Sequence, residues 1–209
     1  MDVKGVSARL LRIYALAAIG GLGMGSLNLA APAHATTYTD QLLSYSAESV
    51  PYMDFVRGSA PYGTLYIYYS TMQYAGSVLT PTRRKITMKA GSGNGTTDDC
   101  VTNKGWLPKS TDNVGTNRPY YPRYEVNHQT SSTVVKGSVW NLGSHICSKD
   151  TVTRTELFIH SEGGNGGSWT ASNYYSEGCV KIDQGDRTYV ASVYNWPVFG
   201  ASSTHMDVN

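Results

Sequence analysis

A mostly β domain with one or two short helices is the fold class this sequence predicts. Four segments carry that expectation: TLYIYYS (64–70), RKITMKA (84–90), STVVKGSVWNLG (132–143) and TVTRTELFIHS (151–161). They are rich in β-branched and aromatic side chains, which suit a pleated, half-buried surface. Glycine-rich punctuation such as GSGNGTTDD (91–99) separates them. Charged residues make up 15% of the chain, against 16 tyrosines and 22 glycines, a balance that fits an extracellular β-rich protein and argues against a charge-driven binding surface.

In chain order, residues 1–35 read as a secretory signal peptide. Lys4, Arg9 and Arg12 precede the apolar run IYALAAIGGLGMGSLNLAA, and Ala33-His34-Ala35 supplies a cleavage site. A membrane anchor is the rival reading, but Gly, Ser and Asn interrupt the run, and no other segment approaches the roughly 18 apolar residues of a membrane helix. Residues 36–62, containing TDQLLSYSAESVPYMDF with Thr39 or Asp40 as a cap and Pro51 as a breaker, are expected to form a helical or irregular segment packed on the main domain, 63–209. GSGNG lacks both the dinucleotide fingerprint and the Lys-Ser/Thr of a phosphate loop, so a hairpin loop is expected there. GCVKI reads as a short strand. Asp183 or Asp186 then caps a helix, DRTYVASVYNW, that stops before Pro197, and the last residues read as a frayed tail.

Charge and metal chemistry narrow the function classes. Removal of residues 1–35 leaves fourteen basic and fourteen acidic side chains, so the mature chain is near neutral. The only compact basic patch is Arg83-Arg84-Lys85, more in keeping with a solvated strand edge than with nucleic-acid binding. His145-x-Cys147 offers two metal ligands without a third at ligand spacing. No metal, no nucleic acid and no membrane span in the mature chain are expected.

The chemistry concentrates on NYYSEGCVKI (173–182). Three cysteines outside the cell leave one thiol unpaired. The strand TELFIHS ends at His160, and a Gly-, Ser- and Asn-rich loop runs from there to Cys179. Two strand ends joined in this way bring a base beside a thiol, as a nucleophilic cysteine requires. Gly178 permits close approach of a substrate and leaves amides to face a developing oxyanion. Strand alternation places Arg154, Glu156, Phe158 and His160 on one face. Arg154 is then expected at the rim, paired with Glu156 or a substrate carboxylate, with a surface ion pair as the plainer reading. Trp169, Tyr174 and Tyr175 either line the cleft or pack the loop.

With those residues in place, the chain resembles the L,D-transpeptidase catalytic domain family, the YkuD-like family, over roughly residues 82–196. That family carries a strand-end His followed by Gly or Ser, then Ser-His-Gly-Cys, a hydrophobic residue and Arg. Here the matching positions are His160-Ser161 and Ser176-Glu177-Gly178-Cys179-Val180-Lys181, and KGWLPKSTDNV (104–114) is similar to a segment ahead of the family's central strands. The resemblance implies a β-sandwich or barrel-like domain that needs no cofactor. It implies Cys179 as the nucleophile toward peptidoglycan stem peptides and His160 as the base. The Ser161 carbonyl would hold the His160 ring, and Gly178, Cys179 and Glu177 amides would form the oxyanion hole. Ser176, Glu177, Lys181, Arg154 and Tyr175 are then candidates for substrate binding. Glu177 and Lys181 replace the family's His and Arg. A carboxylate beside the thiol raises its pKa or reads a substrate amine, and Lys keeps the charge without the planar fork.

The expected protein is therefore a monomeric cysteine acyltransferase, secreted to the cell wall. A stem-peptide hydrolase uses the same site, and a non-catalytic wall-binding β domain is the alternative from another class. Among three possible cysteine pairings, Cys100–Cys147 is expected. Both residues sit in polar, loop-like settings, whereas a bridge at Cys179 would silence it.

Overall fold

The computed structural model describes residues 38–43, 52–129, 135–161, 170–194 and 205–209. All belong to the compact unit His34–Asn209. The proposed signal peptide, the segment 130–134, most of the Gly-rich loop including Trp169, and Pro197 lie outside the described residues. The fold is mostly β, with one α-helix among the described residues.

The strands are β1 (Tyr38–Leu42), β2 (Tyr52–Arg57), β3 (Tyr62–Ala75), β4 (Val78–Gly91), β5 (Arg123–Gln129), β6 (Lys136–Ile146), β7 (Thr153–His160), β8 (Val180–Ile182) and β9 (His205–Val208). They form one sheet, curled into a half-barrel, in the order β5-β6-β7-β8-β4-β3-β2-β9, with β1 on β4. β3 and β4 make a long hairpin around Gly76, whose φ of +67° suits the turn. Their alternation is visible in burial: Leu65, Ile67, Ile86, Met88 and Ala90 point into the core, while Tyr66, Tyr68 and Lys85 face outward, Lys85 lying 4.0 Å from the Tyr66 ring.

Three sequence expectations are corrected here. The described parts of 36–62 are mainly the strands β1 and β2, with a turn at 58–61. Asp40 does not cap a helix but lies within β1, where its carboxylate accepts the hydroxyls of Tyr69 (2.6 Å) and Tyr189 and pairs with Arg84 (3.0 Å). One carboxylate thus joins β1, β3, β4 and the helix, an advantage that local propensity does not register. The C-terminal residues are not a frayed tail: β9 pairs in parallel with β2 and buries Met206 and Val208. Nor does GSGNG close a hairpin, because 31 residues (92–122) separate β4 from β5 and carry the chain from the interior of the sheet to its β5 edge.

The helix α1 (Gln184–Tyr194) begins just after Asp183, whose carboxylate accepts the Gly185 amide at 2.7 Å. This leaves Asp183, rather than Asp186, as the N-terminal cap. Asp186 is buried in the first turn. None of the described helices is long and apolar enough to cross a membrane.

Candidate active site

β7 and β8 run side by side in parallel, pairing Ile159 with Val180 and His160 with Lys181. This register sets the strand-end histidine next to the segment that opens with Cys179. Both residues line one cavity of about 410 Å³, together with Phe158, Glu156, Arg154, Tyr175, Ser176, Glu177 and Lys181. Of the site residues expected from sequence, seven (all of these but Phe158 and Glu156) thus line one cavity, although they come from positions 154–160 and 175–181.

His160 is buried, and its Nδ1 lies 3.1 Å from the Ser161 carbonyl. A carbonyl only accepts, so Nδ1 carries the proton, and in the neutral ring the lone pair belongs to Nε2. The neutral ring can then take up a proton only at Nε2. Ser161 contributes its backbone as expected.

Cys179 is the free cysteine; Cys100 and Cys147 form a disulfide. The thiol is half-buried against Val135, Val139 and Phe158 and donates to the Glu156 carbonyl at 3.5 Å. Burial pushes it up to about 11; the Phe158 amide and the charges of Lys181 and Arg154 act in the opposite direction, while Glu177 adds to the rise. At neutral pH the resting group is therefore a thiol.

The turn holding Cys179 is fixed by neighbours that sequence did not reveal. Ser176 Oγ donates to the Cys179 carbonyl (2.6 Å) and accepts the amides of Gly178 (3.2 Å) and Gly93 (3.1 Å). Ser92 Oγ donates to the Gly178 carbonyl (3.2 Å) and accepts the Leu107 amide (2.8 Å). Two expectations change as a result. Ser176 organises the turn and has no hydroxyl valence left for substrate, and the Gly178 amide is occupied rather than turned toward an oxyanion. Gly178 is needed for another reason: its φ is +117°, and a Cβ would collide with Arg154 Nη2. Ser92 and Gly93 came from the dismissed GSGNG segment. Nothing in their spacing tied them to a cysteine more than 80 positions away.

Arg154 also departs from expectation. Arg154, Glu156, Phe158 and His160 all line the cavity, but strict alternation is not the cause. Between Arg154 and Leu157 the strand advances three residues while β6 advances two, from His145 to Gly143, so β7 bulges and Glu156 takes a φ of +55°. Arg154 turns inward, only 3% exposed, and donates to the carbonyls of Asp99 (2.8 Å) and Glu177 (2.6 Å). It forms neither the surface ion pair nor the contact with Glu156. Glu177 itself is exposed at the cavity, Tyr175 is 40% exposed beside it, and Lys181 is 5% exposed within it.

His145 and Cys147, the pair weighed above as metal ligands, are both engaged elsewhere. Cys147 is bridged, and the His145 ring stacks on Tyr120 at 4.2 Å.

A pH profile follows from these charges. Alkylation of Cys179 by iodoacetamide should climb about ten-fold per pH unit and level off near pH 11. The Glu177 charge disfavours the thiolate, so Glu177→Gln should lower the midpoint and speed labelling at any pH below it. A profile that Glu177→Gln leaves unchanged removes Glu177 from the electrostatics of the thiol.

No family model, curated protein or solved structure matches the chain.

Proposed function

We propose that this chain is a secreted cysteine acyltransferase of the cell wall, similar in chemistry to the L,D-transpeptidases. The observation that carries the reading is the meeting of His160 and the free Cys179 in one cavity, on parallel-paired strands. The Nδ1–H contact to Ser161 further supports a base whose lone pair sits on Nε2.

In the proposed reaction, His160 takes the Cys179 proton as the sulfur attacks a stem-peptide carbonyl. The tetrahedral adduct collapses to a thioacyl enzyme, and the His160 proton passes to the departing amine. An acceptor amine then attacks the thioester, gives a proton to His160, and leaves with the acyl group as the expelled Cys179 sulfur takes that proton back. Glu177 and Lys181 stand where the family pattern has His and Arg, and they are the proposed readers of charged groups on the stem peptide.

Incubation with tetrapeptide-bearing muropeptides, followed by mass spectrometry of protein and products, tests the proposal. The expected results are an acyl adduct on the Cys179 peptide and cross-linked muropeptide dimers. Shortened stems without dimers would make the protein a hydrolase of the same site. Neither adduct nor altered muropeptide would leave a non-catalytic wall-binding domain.

A further inference from the structure

We propose that Arg154 is a positioning residue for Cys179: its guanidinium ties the Cys179 turn to the loop closed by the Cys100–Cys147 disulfide, so that the bridge helps to hold the thiol in its half-buried place. Describing that thiol as a nucleophile rests on the function proposed above; the clamp itself does not.

The connection runs through named atoms. Asp99 directly precedes Cys100, and its carbonyl accepts Arg154 Nη1 at 2.8 Å. Its carboxylate accepts the amide (3.2 Å) and hydroxyl (2.8 Å) of Ser148, the residue after Cys147, and pairs with Arg57 at 2.9 Å. Both sides of the bridge are thus gathered on Asp99. The other arm of the fork, Nη2, donates to the Glu177 carbonyl at 2.6 Å, two residues before Cys179. Nη2 also fills the space that a Cβ on Gly178 would occupy, so the turn is shaped around the guanidinium.

The chemistry of the clamp explains the choice of arginine. Burying a cation is costly unless it is well satisfied, and Arg154 has no carboxylate partner among the described residues. Its planar fork instead reaches two loops at once, with Nη1 toward Asp99 and Nη2 toward Glu177. A lysine ammonium is a single point and cannot span the same two loops from one position. The clamp and the proposed base share β7, so the strand that presents His160 also sets the position of Cys179.

The test reads alkylation of the Cys179 peptide against pH in the purified protein, with Arg154→Lys and with the paired substitutions Cys100→Ser and Cys147→Ser. The charged and titratable groups facing Cys179 are Arg154, Glu156 and His160 on β7, Lys181 on β8, and Tyr175 and Glu177 in the turn. Arg154→Lys preserves the net charge of this set, so a moved midpoint reports burial rather than field. Release of the turn should lower the midpoint toward the ordinary thiol value. A fall of about two pH units would give about a hundred-fold more thiolate at pH 8, each thiolate being less nucleophilic, for a net labelling gain of about ten-fold. The bridge-less protein should shift in the same direction, and combining it with Arg154→Lys should add little further, because both cut one connection. A folded Arg154→Lys protein with the parent profile overturns the clamp. If Arg154→Lys does not fold, the paired serine variant decides: an unchanged Cys179 profile overturns the coupling. Failure of the acyltransferase reading would show in the muropeptide assay and leave this alkylation result intact.

Discussion

His160→Ala should reduce acyl transfer by about a hundred- to ten-thousand-fold, the usual contribution of a positioned general base. The loss follows from the resting state of the nucleophile. A thiol pushed up to about 11 is overwhelmingly protonated at neutral pH, so without a base the attacking thiolate is scarce. The same substitution should leave slow alkylation at high pH largely intact, because there hydroxide replaces the base. His128→Ala and His145→Ala should keep most activity. His128 is engaged by Glu125 and packs on Phe158 at 4.8 Å; His145 reaches the Lys109 carbonyl at 3.2 Å and stacks on Tyr120. Neither lines the cavity that holds Cys179. Measured kcat/KM values for the three variants decide the assignment, and a loss at His128 comparable with that at His160 would sink it.

Loss of the disulfide should bring the largest change in stability. Cys100 and Cys147 lie 47 positions apart, and the chain-entropy model assigns such a loop about 4 kcal/mol of stabilisation, less any native strain. That is a large share of the about 5–15 kcal/mol that holds a typical domain folded. Cys147→Ser should therefore lower the denaturant midpoint markedly, and reducing agent should do the same to the parent protein. Cys179→Ser, by contrast, should change stability little, since this thiol is half-buried and unbridged. Non-reducing peptide mapping provides the direct check: Cys100 and Cys147 should appear in one linked species, with Cys179 free. A bridge containing Cys179 in active protein would falsify the nucleophile reading.

Features that depend on local pattern were legible in the sequence. β-Branched and aromatic runs marked β3, β4, β6, β7 and β8, because alternation is a property of consecutive residues. Asp183 and Asp186 both read as caps for the same reason, and the structure selects Asp183. The pairing of Cys100 with Cys147 was legible because loop-like settings and the environment of Cys179 favoured it over the two rival pairings. β1, β2, β5 and β9 were missed. β2 and β9 are joined in register from Tyr52–His205 to Phe55–Val208, and β1 is held through Asp40, whose partners come from three other elements.

The candidate site divides along the same line. The sequence by itself determined which residue types stood ready: a strand-end His160, a Gly-flanked Cys179, and a loop long enough to fold one toward the other. Tertiary structure decided what each atom does. A single extra residue in β7, at the bulge that gives Glu156 its φ of +55°, turned Arg154 from an expected rim residue into a buried clamp. The loop after β4 reaches the Cys179 turn and adds the Gly93 amide to the Gly178 amide and Cys179 carbonyl already held by the Ser176 hydroxyl, which leaves it no bond to give. Periodicity records the side on which a residue would fall in an unbroken strand. Hydrogen bonds between distant backbone segments depend on where those segments meet, and that is set by the packing of the whole sheet.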